Sequence, residues 1–371
     1  MNTAVYRNIS KIIERDSKST TYKYALLRGV IDIIRDNSPY IAVEKDFVHF
    51  PLGLLIEKWM LYYFPILESP VNLPQINGNA KLAFENQYKR IIEAYSTMNG
   101  FSGFYNDLKN KGIPDYLQND FLEVAKQLKN TITRMPMKYI GRSISNDFYS
   151  IFNYTNNPVR IAPDEKINLQ YLIRNYGTFS IPRDYYEAFR VLGSFISGED
   201  SILFKWAEFS VKASRQDLPF EQVISSVLRN PVTLRDTKKT RDLYLKMLER
   251  ESEVFCVWTG TKLEKYEVDH IIPFAIWKNN DLWNMLPSNP KINNRKRDKI
   301  PSPGLIERQK DMILEYWTMI NNFYPDRFKN EIQVTLLGNN PIESWPQTGI
   351  TQLKNSCHYL IATRGYEEWK I

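Results

Sequence analysis

Apolar residues recur every three or four positions through much of the first 135 residues, which is the spacing of amphipathic helices. Segment 20–37 is one example. Its predicted core face consists of Tyr24, Leu27, Val30, Ile31 and Ile34. Segments 80–98 and 115–132 have the same helical spacing of apolar residues. The most apolar stretch, 50–67, is interrupted by an adjacent glutamate and lysine, so it predicts a buried helix and not a membrane span.

The pattern changes between residues 135 and 180, where runs of Tyr, Phe and Ile alternate with Asn-Asn, Gly and Pro. Such runs predict short strands, which we place within 147–180. Helical spacing then resumes and predicts helices over 183–196, 199–214, 219–228, 234–251 and 347–364. Two further helices are predicted beyond residue 302, broken at Pro325 and ended by Gly338.

Residues 254–301 follow a different order, in which two strand-like runs precede an irregular loop and a helix. The runs 254–260 and 266–274 flank a short polar turn and predict an antiparallel hairpin. The tripeptide Ser-Asn-Pro at 288–290 predicts a helix start, with Ser or Asn as the cap and proline in the first turn. We expect this helix to end before Pro301.

Charge and cysteine content exclude several classes of protein. The 49 basic and 42 acidic residues give a net charge of +7, which fits an ordinary soluble surface unless the charge is clustered. Cys256 and Cys357 cannot form a disulfide framework, and no CxxC pair is present to hold a structural zinc ion. The first residues lack the apolar core of a signal peptide. We therefore expect a cytoplasmic protein without structural zinc.

An aspartate and a histidine, Asp269 and His270, stand side by side in the second strand-like run. Phosphodiester hydrolysis needs a base, and histidine, with a pKa of about 6.5, suits neutral pH. It also needs a divalent cation, which takes carboxylate and amide oxygens as ligands. The following helix could bring Asn293 toward Asp269 as a second oxygen ligand. Because neighbours on a strand face opposite ways, the strand end must be distorted or the site must lie at its edge.

The spacing of four residues carries a resemblance to a known family. Asp269 precedes His270, Asn284 follows the histidine by fourteen positions, and Asn293 follows it by twenty-three. This segment resembles the HNH endonucleases, which have the ββα-metal fold. The resemblance implies that Asp269 and Asn293 bind one Mg²⁺ or Mn²⁺ ion. It also implies that His270 activates water and that Asn284 orients the histidine-bearing loop.

The segment departs from the HNH pattern in two respects. Many HNH proteins brace the hairpin with two CxxC zinc knuckles, whereas Cys256 stands alone here. We expect the packing of Trp258, Ile271 and Leu286 to hold the hairpin instead. The third motif position is asparagine and not histidine, and the register between Asn293 and the asparagine after it stays open.

A basic run follows the last motif residue and consists of Arg295, Lys296, Arg297 and Lys299. A charged run on a helix is usually a solvated face. Directly after a metal ligand, these side chains are equally candidates for contacts to nucleic-acid phosphates.

These patterns predict a mainly α protein with a small α+β module. A helical recognition or regulatory region spans 1–240, an HNH nuclease module of the ββα-metal fold spans 241–302, and a helical C-terminal cover spans 303–371. The resemblance implies metal-dependent cleavage of DNA, in restriction or phage defence. Twofold DNA sites favour a homodimer. An activating ligand or partner protein stays open, and no membrane association is expected.

Two alternatives stay open. A ribonuclease or toxin with the same core would cut RNA at least as well as DNA. A non-catalytic DNA-binding protein would bind without metal-dependent cutting, although such a protein has no physical need for all four motif residues.

Overall fold

The computed structural model describes most of the chain, which divides into two compact units. The first comprises Met1–Asn37 and Ile41–Val232, and the second comprises Ser38–Tyr40 and Thr233–Ile371. The described residues are 3–14, 19–76, 81–140, 150–155, 166–196, 202–215, 218–229, 237–249, 253–277 and 279–371. The C-terminal residues beyond 302 therefore belong to the same unit as the aspartate–histidine pair.

Helices dominate the first unit, in agreement with the predicted mainly α class. They are α1 (Thr3–Glu14), α2 (Tyr22–Arg35), α3 (Leu52–Glu68), α4 (Glu85–Ser96), α5 (Gly100–Asn106), α6 (Gln118–Arg134), α7 (Pro136–Tyr139), α8 (Leu169–Asn175), α9 (Arg183–Ile196), α10 (Ile202–Ala213) and α11 (Phe220–Leu228). A π-helical turn spans Asp107–Lys111, and a 3₁₀ turn spans Asp115–Leu117. The predicted core face of α2 is confirmed, because all five of its residues are buried.

The first unit also contains a four-stranded antiparallel sheet, part of which the helical interpretation of residues 1–135 missed. The strands are β1 (Ala42–Val43), β2 (Phe47–Pro51), β3 (Asn153–Thr155) and β4 (Thr178–Pro182), in the order β1-β2-β4-β3. Within the region 147–180, where short strands were predicted, β3 and the start of β4 are observed, and 147–149 and 156–165 lie outside the described residues. Because β1 and β2 are short and β2 pairs with the distant β4, the local pattern did not reveal them.

Helix α3 forms the centre of the first unit and confirms the predicted buried helix. Its Glu57 is fully buried, with Oε1 lying 2.7 Å from Lys109 Nζ. Lys58 Nζ lies 2.7 Å from Asp36 Oδ2. Buried Glu57 and half-buried Lys58 thus each have an opposite charge beside them, which offsets the cost of burying a charge. Among the described residues, no helix combines the length and the apolar character needed to cross a membrane.

The second unit combines seven helices of the described chain with four short strands. The helices are α12 (Lys238–Glu249), α13 (Phe274–Trp277), α14 (Pro290–Lys296), α15 (Pro303–Arg308), α16 (Lys310–Phe323), α17 (Pro325–Ile332) and α18 (Trp345–Ala362). The strands are β5 (Glu267–His270), β6 (Met285–Ser288), β7 (Ile300–Pro301) and β8 (Glu368–Trp369). 3₁₀ turns span Leu282–Asn284 and Ile342–Ser344, and a π-helical turn spans Gln333–Leu337. The predicted break at Pro325 and end at Gly338 are confirmed.

The predicted hairpin between 254–260 and 266–274 is wrong. Strand β5 pairs instead with β6, which lies beyond the irregular loop. The run 254–260 ends in a tight turn. In this turn Gly260 adopts a φ of +67° and donates its N–H to the Cys256 carbonyl at 2.8 Å. This tight turn leaves the edge of β5 to the later strand.

A single apolar core holds the second unit together. The prediction that Trp258, Ile271 and Leu286 pack in it is confirmed, since all three are buried there with residues of α15 to α18. Strand β8, at the end of the chain, pairs in parallel with β7. Its Trp369 packs edge-to-face on Trp258 at 5.1 Å between ring centroids.

Candidate active site

Asp269 and His270 lie at the end of β5 and line one pocket of about 530 Å³. The loop after β5 contributes one wall, formed by Pro273, Phe274 and Ala275. Helix α14 and the turn after it contribute the other wall, formed by Asn293, Asn294, Arg297 and Asp298. The fold thus brings the first and last parts of the HNH-like motif to one space.

His270 is 2% exposed and makes an edge-to-face contact with Phe274 at 5.6 Å between ring centroids. Successive strand residues point to opposite faces, so a regular strand would separate His270 from Asp269. The strand ends at His270 and the chain bends directly after it. Both residues therefore line the pocket at a distorted strand end, which is one of the two arrangements that the sequence allowed.

The bend after His270 is held by Asn284, whose side chain is fully buried. Its Oδ1 accepts the Ile272 N–H at 2.8 Å, and its Nδ2 donates to the Ile272 carbonyl at 2.9 Å. Its own carbonyl accepts the Ile271 N–H at 2.7 Å. These bonds fix the backbone next to the histidine, and an apolar residue at position 284 could not make the two side-chain bonds.

The Asp269 carboxylate is bound on both oxygens by buried donors. Trp258 Nε1–H donates to Oδ2 at 2.7 Å, and Lys296 Nζ donates to Oδ1 at 3.0 Å. Lys296 also donates to the His270 carbonyl and lies over the Trp258 ring, 5.6 Å from its centroid. The carboxylate is thereby fixed in direction by a bond on each oxygen.

The burial of Lys296 contradicts its predicted role as a phosphate contact. Its side chain is 0% exposed, and its ammonium group is committed to Asp269 and the His270 carbonyl. A buried ammonium requires such partners, because leaving water without them is costly. Of the other predicted phosphate contacts, Arg295 and Arg297 are exposed, and half-buried Lys299 pairs with Glu367.

Asn293 lies on α14 and faces the pocket next to Asp269. Its Nδ2 donates to Glu267 Oε2 at 2.7 Å, which turns the nitrogen toward Glu267 and leaves Oδ1 for another partner. Glu267 and Asp269 are two residues apart on β5 and therefore lie on the same face of the strand. Asn294 lines the pocket as well, and the choice between the two asparagines as a ligand stays a prediction.

A buried carboxyl group supports the loop that leads to Asn284. Glu331 Oε2 accepts the Leu282 N–H, and its Oε1 accepts from Arg327 Nε, both at 2.6 Å. Burial raises the pKa of Glu331 to about 8, and the nearby Asp281 carboxylate adds to the rise. The Arg327 guanidinium and the Leu282 N–H lower the pKa of Glu331 and offset part of this rise. Helix α17 is thus tied to this loop through a group that titrates close to neutral pH.

Raising the pH from about 4.5 to about 8 is expected to destabilise the second unit through Glu331. In this window the folded protein keeps the Glu331 proton and the unfolded chain releases it, so folding stability falls as the pH rises. Glu331→Gln stays neutral and should show a flatter pH dependence of the thermal unfolding midpoint. The exposed Glu343→Gln is the matched control and should follow the wild type. Equal pH dependence in all three proteins would contradict the assignment.

Besides Lys296, three residues that support the site escaped the sequence analysis in this role. Glu267 had a local signal, since its spacing of two from Asp269 predicts a shared strand face. Trp258 was assigned to packing alone, and nothing in its surroundings predicts a hydrogen bond to Asp269. Glu331 lies far along the chain on α17, and no local pattern connects it to Asn284.

Comparison with known families agrees with this geometry. A model of the HNH endonuclease domain matches residues 256–302, which contain β5, β6 and α14. The chain therefore carries an HNH endonuclease domain, which indicates nuclease activity on nucleic acid, and HNH nucleases generally use a divalent metal. A domain of unknown function, DUF8808, matches residues 2–227, so the chain belongs to that family. No curated protein matches the chain.

Proposed function

We propose that this protein is a metal-dependent HNH endonuclease that hydrolyses DNA phosphodiester bonds with water activated by His270. The observation that carries the proposal is that Asp269, His270 and Asn293 line one pocket. A base and two oxygen ligands around one space are what one-metal hydrolysis of a phosphodiester needs. The order of β5, β6 and α14 around them supports a ββα-metal fold.

The donors in the pocket fit a hard divalent cation. Asp269 offers a carboxylate oxygen and Asn293 an amide oxygen, which are ligand types that Mg²⁺ and Mn²⁺ take. Within the described residues, no three His, Cys, Asp or Glu side chains converge as a metal site. A cation here would thus take few protein ligands and complete its shell with water and phosphate, as Mg²⁺ often does.

In the proposed reaction, His270 takes a proton from a water molecule in the pocket, and the water oxygen attacks phosphorus in line. The bond to the 3′ oxygen breaks and that oxygen takes a proton from solvent water, which leaves 5′-phosphate and 3′-hydroxyl ends. Asp269 and Asn293 would hold the Mg²⁺ or Mn²⁺ ion, which would neutralise phosphate charge and stabilise the leaving oxygen. Asn284 keeps the His270 backbone in place through its bonds to Ile272.

The exposed basic side chains beside the pocket support binding to a polyanion. Arg295 and Arg297 are exposed at the end of α14 and directly after it. Lys299 retains partial exposure next to Glu367. Such contacts release counterions from DNA, so binding should weaken steeply with salt.

The proposed biological setting rests on the family resemblance. A module as small as residues 256–302 reads little DNA sequence by itself. We assign to the first unit the recognition of a DNA site or modification, or the sensing of a signal, in restriction or phage defence. A homodimer and an activating ligand or partner belong to the same proposal.

Cleavage assays test the proposed function directly. Wild type and His270→Ala would be incubated with plasmid DNA, modified phage DNA and structured RNA, in Mg²⁺, in Mn²⁺ and in EDTA. We expect DNA cutting that requires metal, is abolished by EDTA and is strongly reduced in the variant. Cutting of RNA alone would make the protein a ribonuclease, and metal-independent binding without cutting by the wild type would overturn the catalytic assignment.

A further inference from the structure

Arg297 adopts a backbone conformation that side chains other than glycine rarely take. Its φ is +51° and its ψ is −121°. The Lys299 N–H donates to the Lys296 carbonyl at 3.1 Å, so the four residues 296–299 form a type II′ turn with Arg297 at its first central position. That position strongly favours glycine. The same chain uses Gly338 where nearly the same angles, +62° and −121°, recur.

The turn is anchored on both sides, which is what a strained residue requires. On one side, Lys296 is buried and bound to Asp269 and the His270 carbonyl. On the other side, Lys299 pairs with Glu367, whose carbonyl also accepts the Ile300 N–H at 2.9 Å. The fold therefore imposes the conformation, and an arginine at this position lowers stability relative to glycine.

The position of the side chain indicates what the strain serves. Of the basic run 295–299, Arg297 is the residue that lines the pocket together with Asp269, His270 and Asn293. It is exposed, and no carboxylate of the described residues lies within ion-pair distance of its guanidinium. Arg295, one helical position before Lys296, is exposed but does not line the pocket.

We propose that Arg297 is kept at this strained position because its guanidinium binds the phosphodiester that the water activated by His270 attacks. This inference rests on the proposed function and adds a substrate-contacting residue to it. A guanidinium donates two parallel N–H groups to two phosphate oxygens, which both neutralises charge and fixes the orientation of phosphorus. Glycine would suit the backbone better but would leave the phosphate without this partner.

Opposite effects on stability and on cleavage test the inference. Arg297→Gly relieves the backbone strain, so its thermal unfolding midpoint should rise by about 2 to 4 °C. Its kcat/KM for cleavage should fall by about 10²-fold or more, because one donor that stabilises the reacting phosphate is lost. Arg297→Ala keeps the strain and should lose cleavage equally without the gain in midpoint. Lys291→Ala removes one exposed charge from the start of the same helix and should cleave like the wild type. Cleavage by Arg297→Gly at the wild-type rate would overturn the inference.

A binding measurement separates this inference from the proposed hydrolysis. In the His270→Ala background with Mg²⁺, the affinity for a fluorescein-labelled DNA duplex would be measured over a range of salt concentrations. Adding Arg297→Ala should reduce the slope of log affinity against log salt by about 0.9, the value for one lost phosphate contact, and adding Lys291→Ala should leave it unchanged. If the wild type cuts nothing yet Arg297→Ala reduces this slope, the hydrolysis proposal fails and the phosphate contact stands. If the Arg297→Ala slope equals that of the background, Arg297 does not contact the phosphate.

Discussion

His270→Ala is expected to slow the cleavage of nucleic acid by about 10²- to 10⁴-fold, the range by which a positioned general base accelerates such steps. The physical reason is the position of His270 at a distorted strand end, where it shares a pocket with Asp269 and Asn293. Without the imidazole, water in the pocket loses the group proposed to take up its proton. The single-turnover rate at saturating metal is the appropriate measurement, because it excludes product release.

Controls for this prediction must separate chemistry from folding, since His270 is 2% exposed and packs on Phe274. His270→Asn keeps a polar side chain of similar reach that cannot take up a proton near neutral pH, and it should be as inactive as the alanine variant. His358→Ala makes the same substitution at an exposed position of the same unit and should cleave like the wild type. Unchanged cleavage by both His270 variants, with unfolding midpoints near that of the wild type, would remove His270 from the mechanism.

Asp269→Asn is expected to abolish metal-dependent cleavage and also to destabilise the second unit. Asp269 accepts from Trp258 and from Lys296 on separate oxygens. An asparagine has one acceptor oxygen, so its NH₂ group would face one of these donors, and the buried Lys296 ammonium would lose its counter-charge. Breaking a buried ion pair in this way costs about 3 to 5 kcal/mol. Cleavage and the free energy of unfolding in denaturant would both be measured.

A double variant distinguishes the two losses. Asp269→Asn with Lys296→Met removes both charges of the pair, which is often nearly neutral for stability. The double variant should therefore regain most of the unfolding free energy and remain inactive. In the wild type, Mn²⁺ should raise the thermal unfolding midpoint by binding the folded state, and this shift should be absent in both variants. Recovery of cleavage in the double variant would show that Asp269 acts through stability alone.

The helices of this protein could be predicted from the sequence to a large extent. The stripe of Leu27, Val30 and Ile34 on α2 and the break at Pro325 are confirmed, because helical periodicity and proline act over a few residues. Strand pairing was not predictable in the same way. The run 254–260 looked like the partner of β5, but it closed on itself at Gly260 and β6 took its place.

The candidate site also has features that the sequence predicts and features that it does not. The spacing of Asp269, His270, Asn284 and Asn293 is a property of the sequence, and the resemblance to HNH endonucleases rests on it. The role of Lys296 could not be read from that spacing, because a lysine in a basic run has the same local pattern on a surface as in a core. Its burial depends on where α14 packs against β5.

By itself, the sequence determined the helical class of the chain, the positions of most helices, and the set of acid, base and amide groups that indicate a nuclease. The tertiary structure alone decided that β5 pairs with β6, that Trp258 and Lys296 bind Asp269, and that Arg297 is held in a strained turn at the pocket. The physical reason is the separation along the chain of the residues that interact. Periodicity, caps and motif spacing act between near neighbours, whereas pairing, burial and ion pairs depend on residues that only the folded chain brings together.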